Sequence, residues 1–188
     1  LGWTDISVTV NCSALNLVRE ALGDEVESAL RSSGLSANRL ELEVTENALM
    51  GNISNTSHLL RQIRSLGVSL SIDDFGTGYS SLAYLKRLPL NTLKIDRSFI
   101  QDIPNSSQDM EIVQAIIVMA HTLHLQVVTE GVETHQQFAF LNQYNCDFIQ
   151  GHLLSHPVPF EALHSLLQAL NTSPLASFDF SPLQLSSQ

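Results

Sequence analysis

β-type runs and amphipathic helical patterns alternate six times along this chain, and no hairpin turn signal separates one run from the next. Strands joined through helices must run parallel, because a parallel pair needs a long crossover connection. The predicted strands cover 6–10, 40–45, 68–72, 92–95, 126–129 and 147–150. The pattern therefore predicts an α/β fold with a parallel sheet.

The helical segments between these strands carry apolar residues at helical spacing. They are predicted near 17–30, 59–66, 81–87, 112–123, 136–143 and 160–170. The first is predicted to bury a face that includes Leu17, Val18 and Leu22. The fourth has the clearest stripe: Ile112, Ile116, Met119, Ala120 and Leu123. We expect a domain over 1–170, followed by a tail over 171–188 that is rich in Ser, Pro and Leu.

Two architectures fit this alternation: an open doubly wound sheet and a (β/α)8 barrel of the TIM type. The polar residues favour the barrel, since they fall at strand C-termini, which in a barrel converge on one mouth. They are Asn11, Glu43, Glu46, Asp73, Asp74, Lys94, Asp96, Glu130 and Gln150. Six units of about 28 residues fall short of the roughly 225 or more that eight units need. We therefore expect a barrel that is N-terminally incomplete.

The charge balance narrows the partners and the chemistry. The 188 residues include 9 Lys+Arg and 19 Asp+Glu, a formal net charge of −10, which disfavours DNA, RNA and anionic membranes as partners. Oxygen ligands without His or Cys favour Mg²⁺, Mn²⁺ or Ca²⁺ over zinc. The donors are Asn11, Glu43, Asp73, Asp74 and Glu130. Two bridged ions would suit phosphodiester hydrolysis. The alternative is separate solvated acids or helix caps.

Other polar residues leave alternatives open. Lys94 either holds a phosphate oxygen or the attacking water, or is a counter-ion that relieves carboxylate repulsion. Adjacent Asp73 and Asp74 can both face the mouth only if their strand ends there, which the glycines of the following loop, 75–81, permit. That loop alone is a weak phosphate-binding signal. Neither a metal role for His121 and His124 nor a triad at Ser80 and Ser81 is favoured.

Six segments resemble the EAL domain family, phosphodiesterases that cleave cyclic di-GMP to its linear dinucleotide pGpG. They occur in the family's order between Val8 and Pro159. They are Val10-Asn11-Cys12-Ser13, Glu43-Val44-Thr45-Glu46, Asp73-Asp74-Phe75-Gly76-Thr77-Gly78-Tyr79-Ser80-Ser81, Leu93-Lys94-Ile95-Asp96, Thr129-Glu130-Gly131-Val132-Glu133-Thr134 and Gln150-Gly151.

The resemblance implies a (β/α)8 barrel, a site for two Mg²⁺ or Mn²⁺ ions and in-line attack of an activated water on one phosphodiester. Asn11, Glu43 and Asp73 correspond to ligands of the first metal, and Asp73 and Asp74 to ligands of the second. Glu130 corresponds to a general base or second-metal ligand, and Lys94 positions the water or the phosphate. Gln150 belongs to the active site and binds substrate. Glu46 anchors the loop that follows Asp74, and Glu133 has a supporting role.

The chain also departs from the family pattern. The Glu-Ala-Leu segment, which carries a metal ligand, is expected upstream of Asn11 and is not in the sequence. Cys12 replaces a common aliphatic residue, and His156 replaces a common basic one. Three interpretations stay open: an active phosphodiesterase, a non-catalytic cyclic di-GMP receptor or interaction module, and a barrel fragment that survives by oligomerising.

The resemblance and the two cysteines also predict context. The family implies a homodimer and a longer parent protein with an upstream sensory or cyclase domain. Cys12 and Cys146 are the only cysteines, and two isolated thiols fit a reducing cytosol. We therefore expect a cytoplasmic domain, whose parent protein can be membrane-anchored.

Overall fold

The computed structural model describes residues 6–19, 21–50, 53–78 and 82–172. Within these ranges the strands are β1 Val8–Cys12, β2 Leu40–Thr45, β3 Ser69–Phe75, β4 Thr92–Ile95, β5 Gln126–Thr129 and β6 Phe148–Ile149. The α-helices are α1 Ala14–Leu17, α2 Leu22–Ser33, α3 Glu46–Met50, α4 Ile53–Ser65, α5 Leu82–Leu85, α6 Ser107–Thr122, α7 His135–Gln143 and α8 Phe160–Thr172. Short 3₁₀ turns cover Ala37–Arg39 and Arg97–Phe99.

The six strands form one parallel sheet in chain order, and each strand pairs with the next. This order distinguishes the two predicted architectures. A doubly wound sheet reverses its strand order at a switch point, whereas a barrel adds each strand beside its predecessor. The sheet therefore winds as a TIM-type barrel does, and the predicted α/β class with about six units is confirmed.

The sheet has one apolar and one polar face, as β2 shows. Leu40, Leu42 and Val44 are buried, whereas the alternating Glu41, Glu43 and Thr45 are only half-buried. Because strand side chains alternate between faces, the apolar face packs under the helices and the polar face is the barrel interior. α4 packs against β3, and α6 packs against β4 and β5. Each fully buried Leu or Ile in this layer stabilises the fold by about 1.5–3 kcal/mol.

The prediction of one continuous helix near 17–30 is wrong. The chain forms the short α1, breaks, and resumes as α2, whose buried residues include Leu22 and Val26. Val18, predicted on the packing face, lies in the break and is 71% exposed. In α6 the fully buried row is Val113, Ile117 and Ala120. Of the predicted stripe, Ala120 is therefore buried, and Ile116, Met119 and Leu123 are partly buried against the core.

Three strand boundaries differ from the predictions. β1 is shifted by two residues, β3 continues past Ile72 to Phe75, and β6 is only two residues long. A side chain compensates for the short β6, because Asp147 Oδ2 accepts a hydrogen bond from the buried Val127 N–H at 2.8 Å. The same oxygen lies 2.9 Å from His121 Nε2, so His121 contacts this carboxylate.

α8 continues to Thr172, two residues beyond the predicted domain boundary at 170. Most of the predicted tail, from residue 173 onward, and the residues Tyr79, Ser80 and Ser81 lie outside the described residues. The division into domain and tail stays a prediction. Among the helices that the structure describes, none combines the length and apolar character needed to cross a membrane.

Candidate active site

Four charged side chains meet at the C-terminal end of the sheet. Glu43 lies on β2, Asp73 on β3 and Lys94 on β4, and Glu130 directly follows β5. Parallel neighbours place their carboxyl ends at one edge, so residues far apart in sequence share one mouth. The backbone bond from Glu130 N–H to Ile95 O, at 3.1 Å, continues the pairing of β5 with β4 to the last of these residues.

Lys94 lies at the centre of this group and is 4% exposed. Its Nζ lies 2.7 Å from Glu43 Oε1 and 2.6 Å from Glu130 Oε1. It also lies 3.3 Å from Asp73 Oδ1. An ammonium group has three donors, and here three carboxylates surround it. In this arrangement Lys94 has the geometry of a counter-ion, which is one of the two roles that the sequence left open.

A second cluster overlaps the first. It consists of three carboxylate oxygens, one each from Asp73, Asp74 and Glu130. These three oxygens lie within 4.8 Å of one another. The adjacent aspartates converge because the pairing of β3 with β4 is irregular between Ile72 and Phe75, and Asp74 has φ of 55°. The prediction that the strand must end at the aspartates is wrong, since a bulge inside β3 redirects the second side chain instead.

Burial and charge shift the pKa values of this site. Burial raises the pKa of Asp74, and the neighbouring Asp73 and Asp96 raise it further. Burial also raises the pKa of Glu43, although Lys94 opposes that effect. Burial disfavours the charged form of Lys94, but hydrogen bonds to Glu130 and Glu43 outweigh it, so the pKa of Lys94 is raised. The site holds more negative charge than its one lysine neutralises.

This donor set fits a divalent cation. Carboxylate oxygens within one small volume are the ligands that Mg²⁺ and Mn²⁺ prefer. A cation there would also relieve the repulsion that raises the pKa of Asp74. Asp73, Asp74 and Glu130 are the residues that could hold it.

Glu46 begins α3 and lies beneath the loop that follows β3. It is 1% exposed, and its Oε2 accepts a hydrogen bond from Gly76 N–H at 2.9 Å. Gly76 has φ of 98°, and a Cβ there would come within 2.7 Å of the Phe99 ring. A glycine is therefore required at this turn, and the Glu46 carboxylate fixes the backbone just beyond Asp74.

Three other predicted residues lie apart from the acid cluster. Asn11 is exposed on β1 and is the register partner of Glu43, so it borders the cluster on the same face. Gln150 is exposed just after β6, and its backbone bonds to Thr129 and Val132. Glu133 is also exposed, and its Oε1 lies 3.7 Å from His152 Nδ1.

One contributor was missed by the sequence reasoning. Gln137 is buried, and its Oε1 accepts hydrogen bonds from the Glu133 and Thr134 N–H groups at 2.8 and 2.9 Å. Its Nε2 donates to Ile100 O at 3.0 Å. Gln137 thereby fixes the segment that leads out of Glu130. The capping-box spacing from Thr134 to Gln137 was the signal available in the sequence.

The site geometry and the strand order agree with a family match. A sequence profile described as the EAL domain matches residues 3–157. The chain belongs to the EAL domain family. The match covers the strands and all the charged residues of the site, so the predicted family is confirmed.

Curated relatives are similar over most of this chain. The cyclic di-GMP phosphodiesterase NbdA of Pseudomonas aeruginosa is 62% identical over 168 residues, which are 89% of this chain and 22% of NbdA. The chain thus spans about a fifth of that relative's length.

Solved structures share the fold. The c-di-GMP complex of the PaMucR phosphodiesterase superposes with a TM-score of 0.83 at 47% identity, covering 86% of this chain and 66% of that one. The manganese and cy-diGMP complex of BlrP1 from Klebsiella pneumoniae has a TM-score of 0.75 at 30% identity, covering 80% of this chain and 39% of that one.

Proposed function

We propose that this chain hydrolyses one phosphodiester bond of cyclic di-GMP to give linear pGpG. The observation that carries the proposal is the convergence of Asp73, Asp74 and Glu130 within 4.8 Å, with Lys94 bonded to two of them. NbdA, a cyclic di-GMP phosphodiesterase, and the c-di-GMP complex of PaMucR supply the substrate class.

The cofactor in this proposal is a pair of Mg²⁺ or Mn²⁺ ions. Asp73, Asp74 and Glu130 hold one side of the site, and Glu43 and Asn11 extend it toward β1. When bound, such ions supply positive charge that polarises the phosphate and makes a water molecule more acidic. The carboxylate and amide oxygens of these five residues form a donor set suited to either ion.

The chain's own residues then guide the reaction. Glu130 accepts the proton of the attacking water, whose oxygen forms the new bond to phosphorus. The opposite P–O bond breaks and the leaving 3′ oxygen takes a proton from solvent water, so the ring opens to a 5′-phosphate and a 3′-hydroxyl. Lys94 stabilises charge that develops on the phosphate or orients the water. Gln150 binds the dinucleotide, Glu46 holds the loop beyond Asp74, and Glu133 supports the segment after Glu130.

The wider setting belongs to the same proposal. We place the domain in the cytoplasm, which the two free cysteines, Cys12 and Cys146, support. A homodimer and an upstream sensory or cyclase domain in a longer parent protein complete it. The small fraction of NbdA that this chain covers, 22%, supports the longer parent.

The test is turnover with and without an intact cluster. Wild-type chain, Asp73→Asn and Asp102→Asn are incubated with cyclic di-GMP and Mn²⁺, and pGpG is measured by chromatography. Asp102→Asn is the matched control, because Asp102 is an exposed aspartate before α6. We expect Asp73→Asn to lose at least roughly 100-fold in rate, since a metal ligand matters more than the residues that merely support one. Asp102→Asn should keep the wild-type rate.

A parallel binding titration identifies the alternative. Wild-type chain that binds cyclic di-GMP in calorimetry but releases no pGpG would be a receptor, and the proposed hydrolysis would be wrong. Melting temperatures of all three proteins in EDTA show whether a variant that loses activity is still folded.

A further inference from the structure

We propose that Lys94 is a built-in cation that competes with the divalent metal for the site's carboxylates. In the metal-free protein its ammonium holds together acids that a bound ion would otherwise hold. The inference rests on the proposed function, because it concerns the same metal site. It adds that a metal ion can bind only when carboxylate oxygens give up their contacts with the Lys94 ammonium.

Lys94 contacts carboxylates from three different strands. Its three nearest carboxylates lie 2.6–3.3 Å from Nζ, and one lies on each of three different strand ends. With a residue exposure of 4%, the ammonium has little access to water. Its donors are therefore used on the acids, and the acids in turn are held at one place without a metal.

The carboxylates around Lys94 overlap with the three acids that could hold a metal ion. Asp73 and Glu130 belong both to the lysine's partners and to the group whose oxygens converge within 4.8 Å. A divalent ion bound by that group would lie beside the ammonium and would share its carboxylates. A divalent ion and an ammonium that share carboxylates in a partly buried site repel each other strongly.

The site carries more negative than positive charge. Glu43, Asp73, Asp74 and Glu130 set four carboxylates against one ammonium. Replacing Lys94 by a neutral residue would leave the acids unneutralised in the metal-free protein, so that form should be destabilised. The metal-bound form would lose a repulsive neighbour. Both effects increase the metal's apparent affinity, whereas a lysine that only supported the site structurally would lower the affinity when removed.

The experiment measures Mn²⁺ binding directly, by the paramagnetic resonance signal of the free ion, for wild type, Lys94→Met and Lys86→Met. Lys86 is an exposed lysine after α5, so Lys86→Met changes the net charge equally without touching the site. We expect Lys94→Met to bind Mn²⁺ roughly tenfold more tightly than wild type. Lys86→Met should bind as wild type does. Equal or weaker binding by Lys94→Met would overturn the inference.

Melting in EDTA gives a second measurement that does not depend on metal binding. Lys94→Met should melt roughly 10 °C below wild type, because it leaves three partly buried carboxylates without their counter-ion. The double variant Lys94→Met/Glu43→Gln removes one positive and one negative charge, so it restores the charge balance of the site. We expect it to melt above Lys94→Met alone. If it melts at the same temperature or lower, Lys94 acts through packing, and the inference is wrong.

The remaining outcomes also decide. A Lys94→Met protein that folds only when Mn²⁺ is present supports the inference, whereas one that stays unfolded with Mn²⁺, together with the double variant, contradicts it. Wild-type chain that binds no Mn²⁺ would refute the proposed metal site and with it the competition. In that case the EDTA comparison still shows whether Lys94 neutralises the acids.

Discussion

At the residue scale, Asp74 shows how backbone and charge act together. Its φ of 55° is a left-handed conformation that few residues other than Gly, Asn and Asp adopt easily. The Asp74 O atom accepts a hydrogen bond from Thr77 Oγ1 at 2.8 Å, and Asp74 N–H donates to Asp73 Oδ1 at 3.0 Å. These bonds bring the second carboxylate beside the first.

The raised pKa of Asp74 predicts a pH-dependent gain from Asp74→Asn in EDTA. A raised pKa means that the folded protein binds the proton more tightly than the unfolded chain. The penalty for ionisation is therefore absent below the ordinary aspartate pKa and fully present above the raised one. At pH 7.5, Asp74→Asn should raise the melting temperature by roughly 2 °C, because it removes a carboxylate that burial and the charges of Asp73 and Asp96 disfavour. At a partly exposed site that relief gains under about 1 kcal/mol.

That gain should shrink as the pH falls toward 4, because the wild-type carboxyl then becomes protonated. Asn tolerates the left-handed backbone as well as Asp does, so a conformational effect would not depend on pH. The measurement is a series of thermal melts across pH, with Asp102→Asn beside it. A difference that is constant with pH would contradict the role of charge.

The sequence could identify the charged residues but not their mutual geometry. Glu43, Lys94 and Glu130 follow from strand ends and from the family motif. That Lys94 contacts three acids depends on strand spacing and tilt, which no local pattern specifies. The bulge in β3 is likewise non-local, because it depends on the pairing with β4. The Glu133 backbone N–H is held by Gln137, four residues along the chain.

At the element scale, β6 is stabilised by a side chain as well as by backbone pairing. Phe148 and Ile149 pair with β5, and the Gln150 N–H donates to Thr129 O at 2.8 Å. The Asp147 carboxylate extends the contact by accepting the Val127 N–H, and His121 of α6 contacts the same oxygen. One carboxylate therefore joins β5, β6 and α6.

We expect Asp147→Ala to cost about 1–3 kcal/mol of unfolding free energy, because it leaves the buried Val127 N–H without a partner. The matched variant His121→Ala removes only the exposed half of the arrangement and should cost under about 1 kcal/mol. Urea denaturation of both variants measures the difference. Equal losses would show that the backbone bond to Asp147 contributes nothing beyond the His121 contact.

The elements themselves were partly predictable. The strands 40–45, 92–95 and 126–129 have the predicted bounds, because each is a short run that is followed directly by an acidic residue. α3 was missed because Glu46 follows β2 directly, with no breaker between strand and helix. The α1–α2 break was missed because an apolar stripe from Leu17 to Leu30 looks continuous when only spacing is considered.

At the scale of the whole molecule, β1 is an edge of the described sheet. Val8 and Val10 point to the helix side, where their register partners Leu40 and Leu42 are buried. Yet Val8 is 46% exposed and Val10 is 45% exposed. Apolar residues on an edge strand promote pairing between chains.

The double variant Val8→Thr/Val10→Thr should therefore reduce concentration-dependent association of the 188-residue chain. Thr keeps the β-branched shape, so we expect the unfolding free energy to change by less than about 1 kcal/mol. Light scattering across a concentration series measures the association. Val118→Thr alters an exposed valine on α6, away from the sheet edge, and should leave the association unchanged. If all three proteins associate equally, the β1 edge is not responsible.

The strand order has a consequence for how the chain is made. Because each strand pairs with the one synthesised before it, every unit can dock as it leaves the ribosome, without waiting for a distant segment. The charges of the site then arrive in a fixed sequence during translation. Glu43, Asp73 and Asp74 emerge first, Lys94 follows, and Glu130 comes last. The nascent sheet thus acquires its ammonium group before its final carboxylate.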